Sequence, residues 1–163
     1  MWRGEREAFD VLRNNVEEGA QYVWFHAASL GEFEQGRPLI EELRRTHPQY
    51  KILLTFFSPS GYEVRKNYEG ADIVCYLPLD TPINARRFLR LVHPVMAFFI
   101  KYEFWYNYLH ILKHRVYPHI ALVASSVANK YFSVGMAKAM QRCWLASRAS
   151  LFRTSKVATC LPQ

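Results

Sequence analysis

The first candidate for chemistry in this sequence is a glutamate that follows an apolar segment. Residues 26–32 read HAASLGE, and Glu32 ends the run. Gly31 predicts a tight turn from strand into helix, so we expect Glu32 at the helix N-terminus. A carboxylate there can accept a proton from an attacking hydroxyl as a general base, although the helix dipole stabilises its charged form. The residues alone leave open the commoner alternative of an ordinary acid in a first helical turn.

A second candidate is the segment Ser58-Pro59-Ser60-Gly61. It precedes a predicted helix, so its hydroxyls and backbone N–H groups could hold a phosphate or a sugar. Helix capping is the usual role of serine at such a position and is the favoured alternative without further support.

A third candidate is the segment 101–108, which reads KYEFWYNY. Lys101 and Glu103 bracket a tyrosine and could bind a polar acceptor, whereas the aromatic residues are equally typical of core packing. His110 and His114 lie four residues apart, but the acid of an H-E-x-x-H zinc site is missing between them. We therefore predict no metal site.

These candidates need a scaffold, and the chain alternates apolar strand patterns with amphipathic helix patterns. Strands that are apolar on both faces and separated by helices predict a buried parallel sheet in a doubly wound α/β fold. Sites in such folds form in the loops at the carboxyl ends of the strands, where all three candidates lie. Thr81 and Pro82 predict the start of one helix. The predicted strands are 22–27, 51–57, 73–77, 95–100 and 120–124, and the predicted helices are 5–17, 32–46, 62–68, 82–92 and 103–114.

Composition and charge limit the classes of function that the chain can have. The chain has 163 residues, half of them hydrophobic, which is enough for one domain with a core. No apolar run approaches the ~20 residues of a membrane span, so we expect a cytosolic chain. Residues 1–126 hold 15 basic and 14 acidic residues, while residues 127–163 hold six basic residues and no acid. The body therefore lacks the basic stripe typical of nucleic-acid binding. Three cysteines without metal-ligand spacing indicate reduced thiols.

Several short motifs keep their order and near-constant spacing over residues 20–126. They are HAASLGE at 26–32, PLIEELR at 38–44, TFFSPSG at 55–61, YLPLDTP at 76–82, RFL at 87–89, HP at 93–94 and EFWYN at 103–107. Each is modest alone, but together they resemble the glycosyltransferase domain of the Kdo transferases, which transfer 3-deoxy-D-manno-octulosonic acid (Kdo). The form KYEFWYN at 101–107 is most similar to the Bacteroidetes version of the family.

The resemblance implies the GT-B fold, in which two Rossmann-like domains face a cleft. Residues 1–126 correspond to the N-terminal, acceptor-binding domain, and we find no counterpart of the C-terminal donor-binding domain or of the family's N-terminal membrane anchor. The implied donor is CMP-Kdo and the implied acceptor is a lipid A precursor (lipid IVA) at the cytoplasmic face of the inner membrane. No cofactor and no nucleic acid are implied. We expect the chain to be inactive alone.

The resemblance also implies roles for single residues. The family's proton acceptor is the glutamate of S-x-G-E, which is Glu32 here. The family's transition-state-stabilising acid falls at Lys101, and a lysine can bind an anion but cannot act as a carboxylate. Either Glu103 takes over that role or Lys101 contacts a phosphate, and both alternatives stay open. The candidates for substrate binding are Ser29, Gly31, Ser58, Ser60, Gly61 and Asn107.

Two hypotheses of other classes remain beside a transferase fragment. One is a Rossmann-like module that binds a phosphate or nucleotide ligand at residues 29–32 and 58–61. The other is a remnant without function, in which the fifth strand is the last native element.

The segment 127–163 differs from the body. The motif resemblance ends after Ser126, where the composition also changes. When residues 130–144 and 152–163 are written as permitted codons and read in a shifted frame, both give segments similar to the family's continuation. We therefore interpret 127–163 as a non-homologous tail that results from a frameshift near Val127.

This interpretation makes a prediction about the reading frame of the gene. Sequencing the gene across the codon of Val127 should show a change of frame, with the missing donor domain encoded downstream. A tail that reads through in one intact frame would defeat the interpretation.

Overall fold

The computed structural model describes residues 3–101, 105–114 and 119–123 of the chain. Helices and strands alternate along the sequence. The helices are α1 (Arg3–Asn15), α2 (Leu30–Thr46), α3 (Pro59–Arg65), α4 (Pro82–Val92) and α5 (Tyr106–His114), and the strands are β1 (Tyr22–Ala27), β2 (Lys51–Phe56), β3 (Ile73–Tyr76), β4 (Met96–Ile100) and β5 (His119–Val123). The predicted boundary at residue 126 and the tail beyond it lie outside the described residues.

The five strands form one sheet in the order β3-β2-β1-β4-β5, and every neighbouring pair is parallel. The chain moves outward from β1 to β3 and then returns to the other side of β1 to form β4. Open parallel sheets bind ligands at the carboxyl ends of the strands where such a reversal occurs, here between β1 and β4, and we call this place the crevice. The predicted doubly wound α/β fold is confirmed.

Alternation along β1 builds one core on each face of the sheet. Trp24 is fully buried on one face, with its ring 4.8 Å from Phe88 of α4 and 5.7 Å from Tyr108 of α5. Phe25 faces the other side and stacks on Phe98 of β4 at 4.8 Å, within the cluster that α2 and α3 complete. Because helices cover both faces, the central strands have no polar side.

The start and end of α4 follow the predicted signals. The Thr81 hydroxyl accepts a hydrogen bond from the backbone N–H of Asn84 (3.2 Å), and Pro82 occupies the first turn. The helix ends at His93, whose backbone is left-handed (φ 45°). Pro94 follows, and the residue before a proline is disfavoured in helical conformation.

His26 of β1 and Thr55 of β2 are polar side chains that lie fully buried. The Thr55 hydroxyl accepts a hydrogen bond from the Trp24 indole N–H (2.8 Å) and donates one to the Phe25 carbonyl oxygen (3.3 Å). His26 Nδ1 and Thr55 Oγ1 lie 3.0 Å apart and share a hydrogen bond. Burial lowers the pKa of His26 to about 3, and the contact with Thr55 opposes this only in part.

The buried histidine should make the fold sensitive to acid. The unfolded chain binds a proton at His26 near pH 6.5, but the folded chain binds it only near pH 3. Stability should therefore fall by about 1.4 kcal/mol per pH unit as the pH drops below 6.5 toward 3. His26→Phe should lose this part of the slope in urea denaturation at a series of pH values.

The matched control is His110→Gln, at an exposed position. It should keep the slope of the parent chain between pH 6.5 and 4. An unchanged slope in His26→Phe would contradict the assignment of the acid sensitivity to the buried ring.

Candidate active site

Glu32 lies at the mouth of the crevice because of the way α2 begins. Ser29 is the N-cap, and Glu32 is the third residue of the helix. Its carboxylate turns back, and Oε2 accepts a hydrogen bond from the backbone N–H of Ala28 (2.7 Å). A glutamate at the third helical position commonly satisfies an unpaired N–H in this way. Within the described part of the chain no donor reaches Oε1, so one carboxylate oxygen is fixed and the other is available.

Helix α2 also lies close to the end of β4. A Cβ atom at Gly36, one turn after Glu32, would stand 2.8 Å from Cδ1 of Ile100, the last residue of β4. The helix approaches β4 this closely because residue 36 has no side chain. This contact holds the start of α2, and Glu32 with it, at the crevice between β1 and β4.

Gly31 does not make the strand-to-helix turn, so that prediction was wrong. The turn consists of Ala28 and Ser29, the second with an extended backbone (φ −137°), and Gly31 is already the second helical residue. A Cβ atom at Gly31 would meet no atom of the described residues within 4 Å. Neither the backbone nor the packing therefore requires glycine there, and its exposed backbone is open to close approach by a ligand.

The start of α3 lies directly beside the start of α2. The backbone N–H of Ser58 donates to the Ala28 carbonyl oxygen (2.7 Å). A Cβ atom at Gly61 would collide with the Phe56 ring and stand 3.1 Å from the backbone nitrogen of Leu30. The packing of the two helix ends thus requires glycine at position 61, which explains this residue without a ligand.

Ser58 caps α3, as the capping alternative predicted. Its Oγ accepts a hydrogen bond from the backbone N–H of Ser60 (3.3 Å) and lies 2.9 Å from Ser60 Oγ. The Ser29 side chain, in contrast, makes no capping hydrogen bond, although Ser29 is the N-cap of α2. The three serines stand at the adjoining starts of α2 and α3. Their role in substrate binding stays a prediction.

Lys101 follows β4 directly, on the other side of the crevice. The register of β1 with β4 pairs His26 with Phe99. Both strands end shortly after this pair, β1 at Ala27 and β4 at Ile100, so Ala28 and Lys101 follow neighbouring strands at the same edge of the sheet. Lys101 has φ 63°, a conformation that is costly for a residue with a Cβ atom and that is concentrated at functional sites. Glu103 lies outside the described residues, so the roles of Lys101 and Glu103 stay predictions.

Asn107 is held by Asp80, a residue to which the sequence analysis assigned no role. The Asp80 carboxylate accepts hydrogen bonds from the backbone N–H groups of Asn107 (3.1 Å) and Tyr108 (3.4 Å). The Asn107 side chain donates to the Asp80 carbonyl oxygen (3.0 Å). An acid from the loop after β3 therefore caps α5 and stabilises its N-terminus. The signal was the acid of YLPLDTP, in a loop at the carboxyl edge.

Trp105 joins the ends of three strands beneath the crevice. Its ring packs edge-on against His26 at 5.2 Å and against Phe57, the residue after β2, at 5.0 Å. Trp105 itself stands in the connection from β4 to α5. This residue thus packs against other rings, which agrees with the core-packing alternative for the aromatic segment.

The described residues contain neither a metal-binding cluster nor a membrane-spanning helix. Among the described residues, no three His, Cys, Asp or Glu side chains could hold a metal ion together. His110 stacks on Tyr106 at 5.6 Å, and the side chain of His114 is outside the description. In the described part of the chain, no helix combines the length and the apolar character that crossing a bilayer needs.

Comparison with known proteins gives the family. The sequence model described as 3-deoxy-D-manno-octulosonic-acid transferase (kdotransferase) matches residues 3–158. The chain belongs to this family. The 3-deoxy-D-manno-octulosonic acid transferase of Haemophilus influenzae is 33% identical over 126 residues, which are 76% of this chain and 30% of the relative. That of Aquifex aeolicus is 40% identical over 84 residues, which are 51% and 23% of the two chains.

The chain therefore spans less than a third of the length of these Kdo transferases. The family match continues past residue 126, where the motifs end, and includes most of the segment 127–163. The frameshift interpretation of that segment stays a prediction. The family match agrees with the Rossmann-like α/β fold, and the structure places Glu32 at the carboxyl edge of the sheet.

Replacing either of two glycines of the site by alanine should change the stability of the fold, and the two changes should have opposite signs. Gly31→Ala should stabilise the fold by about 0.5–1 kcal/mol, because the backbone is helical, the space is open and the unfolded chain loses freedom. Gly61→Ala should destabilise it by about 1–3 kcal/mol, because the Phe56 ring must move. Urea denaturation at neutral pH measures both changes, and a loss of stability in Gly31→Ala would show that the space above α2 is not open.

Proposed function

We propose that this chain is the acceptor-binding half of a Kdo transferase, which transfers Kdo from CMP-Kdo to a hydroxyl of a lipid A precursor in lipopolysaccharide synthesis. One observation carries the proposal. At the ligand edge of the sheet, Oε2 of Glu32 is fixed by the Ala28 N–H while Oε1 accepts no hydrogen bond from the described residues. A carboxylate that is oriented but has an available oxygen is what a general base needs.

The reaction assigns a proton transfer to Glu32. Oε1 accepts the proton of the acceptor hydroxyl while the hydroxyl oxygen forms its bond to the anomeric carbon of Kdo. The bond between that carbon and the phosphate oxygen of CMP breaks, and CMP leaves with the electron pair. The hydrogen bond from Ala28 keeps the carboxylate in one orientation throughout, so the base does not have to be ordered at the moment of transfer.

Lys101 contributes a positive charge on the opposite side of the crevice. The Kdo carboxylate, the CMP phosphate and the phosphates of lipid A precursor are all anions that a lysine can bind as a point charge. Its left-handed backbone (φ 63°) is the kind of local strain that a site retains when the position of a side chain matters. We assign Lys101 to anion binding, and Glu103 to the stabilising acid of the family.

The donor site belongs to the part of the relatives that this chain does not cover. The match takes up 30% of the Haemophilus influenzae enzyme and 23% of the Aquifex aeolicus enzyme. We therefore propose that transfer requires this domain together with a donor-binding domain, and that the assembled enzyme acts at the cytoplasmic face of the inner membrane.

The proposal predicts the effect of removing the base. Residues 1–126 fused to the remaining part of the Aquifex aeolicus enzyme should transfer Kdo to lipid A precursor, while the chain alone should not. Glu32→Gln in the fusion should lower kcat by about 10²–10⁴-fold, because a general base contributes that much. The KM for the acceptor should stay nearly unchanged, since the substitution removes an interaction of the transition state.

Glu42→Gln is the matched control. Glu42 lies on the same helix, where it pairs with Arg45 within α2 (2.6 Å), away from the crevice. Its removal should change kcat less than about twofold, as for most surface substitutions. Full activity of Glu32→Gln would refute the proposed base. Tighter binding of a free nucleotide than of lipid A precursor by the chain alone would favour a nucleotide-binding module instead.

A further inference from the structure

In the described part of the chain, two residues other than glycine have a left-handed backbone, His93 (φ 45°) and Lys101 (φ 63°). His93 is the C-cap of α4, so its conformation has a local cause. Lys101 has no such cause, since it follows a strand rather than a helix. Because this conformation costs free energy in a residue with a Cβ atom, contacts outside the local sequence have to hold Lys101 in it.

The sheet fixes the chain immediately before Lys101. Ile100 is the last residue of β4, lies buried and pairs with Val123 of β5. Its side chain also lies against α2, where a Cβ atom at Gly36 would stand 2.8 Å from the Ile100 Cδ1 atom. The residue that precedes Lys101 therefore has little freedom to move.

The loop between β3 and α4 fixes the chain after Lys101. The Asp80 carboxylate accepts a hydrogen bond from the backbone N–H of Asn107, which lies 3.1 Å and 3.2 Å from its two oxygens. It also accepts one from the backbone N–H of Tyr108 (3.4 Å). We call these hydrogen bonds between the Asp80 carboxylate and the start of α5 the Asp80 clamp.

The loop that carries Asp80 is itself held at other points. The Asn84 side chain of α4 donates a hydrogen bond to the Leu79 carbonyl oxygen (3.1 Å). The hydroxyl of Tyr108, which is fully buried, donates one to the Pro78 carbonyl oxygen (2.9 Å). The Asp80 clamp therefore fixes the start of α5 relative to the start of α4.

A short connection links the two fixed points. Residues 102–105 join Lys101 to the first residue of α5, and the last of them, Trp105, packs against His26 at 5.2 Å and Phe57 at 5.0 Å. So short a segment has few backbone conformations that span a set distance in a set direction. The position of the start of α5 thus restricts the backbone at Lys101.

We propose that Asp80 is a positioning residue, whose carboxylate holds the start of α5 so that the short connection keeps Lys101 in its left-handed conformation at the crevice. The proposal rests on the proposed function for the anion-binding role of Lys101, but the Asp80 clamp can be tested on the chain itself. A carboxylate that only capped α5 would stabilise the helix without any effect on Lys101, so the two roles differ in a measurable way.

The experiment is a double-mutant cycle in urea denaturation of the 163-residue chain. Lys101→Gly should raise the equilibrium constant of folding by about fivefold, because glycine takes a left-handed backbone without strain. Asp80→Ala should lower this constant by about tenfold, as the loss of a helix cap does. In the Asp80→Ala background, Lys101→Gly should raise the constant by less than about twofold, because residue 101 can already relax.

His93→Gly and Ser58→Ala are the matched controls. His93 is left-handed at the end of α4, and Ser58 caps α3, so neither belongs to the Asp80 clamp. His93→Gly should have the same effect with and without Asp80→Ala, and Lys101→Gly should keep its full effect beside Ser58→Ala. If Asp80→Ala does not fold in buffer, all variants are measured with a stabilising osmolyte. An equal effect of Lys101→Gly with and without Asp80→Ala would overturn the proposal.

Activity separates the Asp80 clamp from the proposed function. In the fusion with the remaining part of the Aquifex aeolicus enzyme, Lys101→Gln should raise the KM for one substrate by about tenfold, because it removes a charged hydrogen bond. Asp80→Ala should raise the same KM, and the double variant should show no further rise. A KM that changes in Lys101→Gln but not in Asp80→Ala would overturn the positioning role. An unchanged KM in Lys101→Gln, with the coupling in urea intact, would count against the proposed role of Lys101 alone.

Discussion

The pairing of β1 with β2 on one side and with β4 on the other is the constraint on which the rest of the structure depends. β1 is buried on both faces. A central position in the sheet removes the most apolar surface of this strand from water, which favours folding. Once β1 is central, the chain has to reverse its direction of growth between β3 and β4. The crevice, and the position of the start of α2 and of Lys101 at one edge of the sheet, follow from this reversal.

Glu32 shows how one side chain meets a structural and a chemical demand together. Its Oε2 accepts a hydrogen bond from the backbone N–H of Ala28, the residue before the N-cap of α2. The same hydrogen bond fixes the carboxylate at the crevice, so capping supplies the orientation that a base requires.

The two edges of the sheet differ in how their residues contribute to the stability of the fold. At the edge opposite the crevice, ion pairs such as Arg44–Asp72 (2.7 Å) and Lys51–Glu17 (3.2 Å) connect neighbouring elements. The crevice edge carries the left-handed Lys101 and the glycine at position 31, which no contact with the described residues requires. Proteins tolerate locally destabilising features of this kind at functional sites.

The sequence by itself determined the local elements, because their signals lie within a few residues. The apolar run of β1 and the Thr81–Pro82 start of α4 sufficed to place both elements at their observed bounds, and the alternation of elements sufficed for the fold class. Tertiary structure decided which distant residues meet. The Asp80–Asn107 cap and the His26–Thr55 contact join residues 27 and 29 positions apart, and Gly36 and Gly61 are required by packing. Such contacts depend on strand order and helix approach, which periodicity along the chain does not encode.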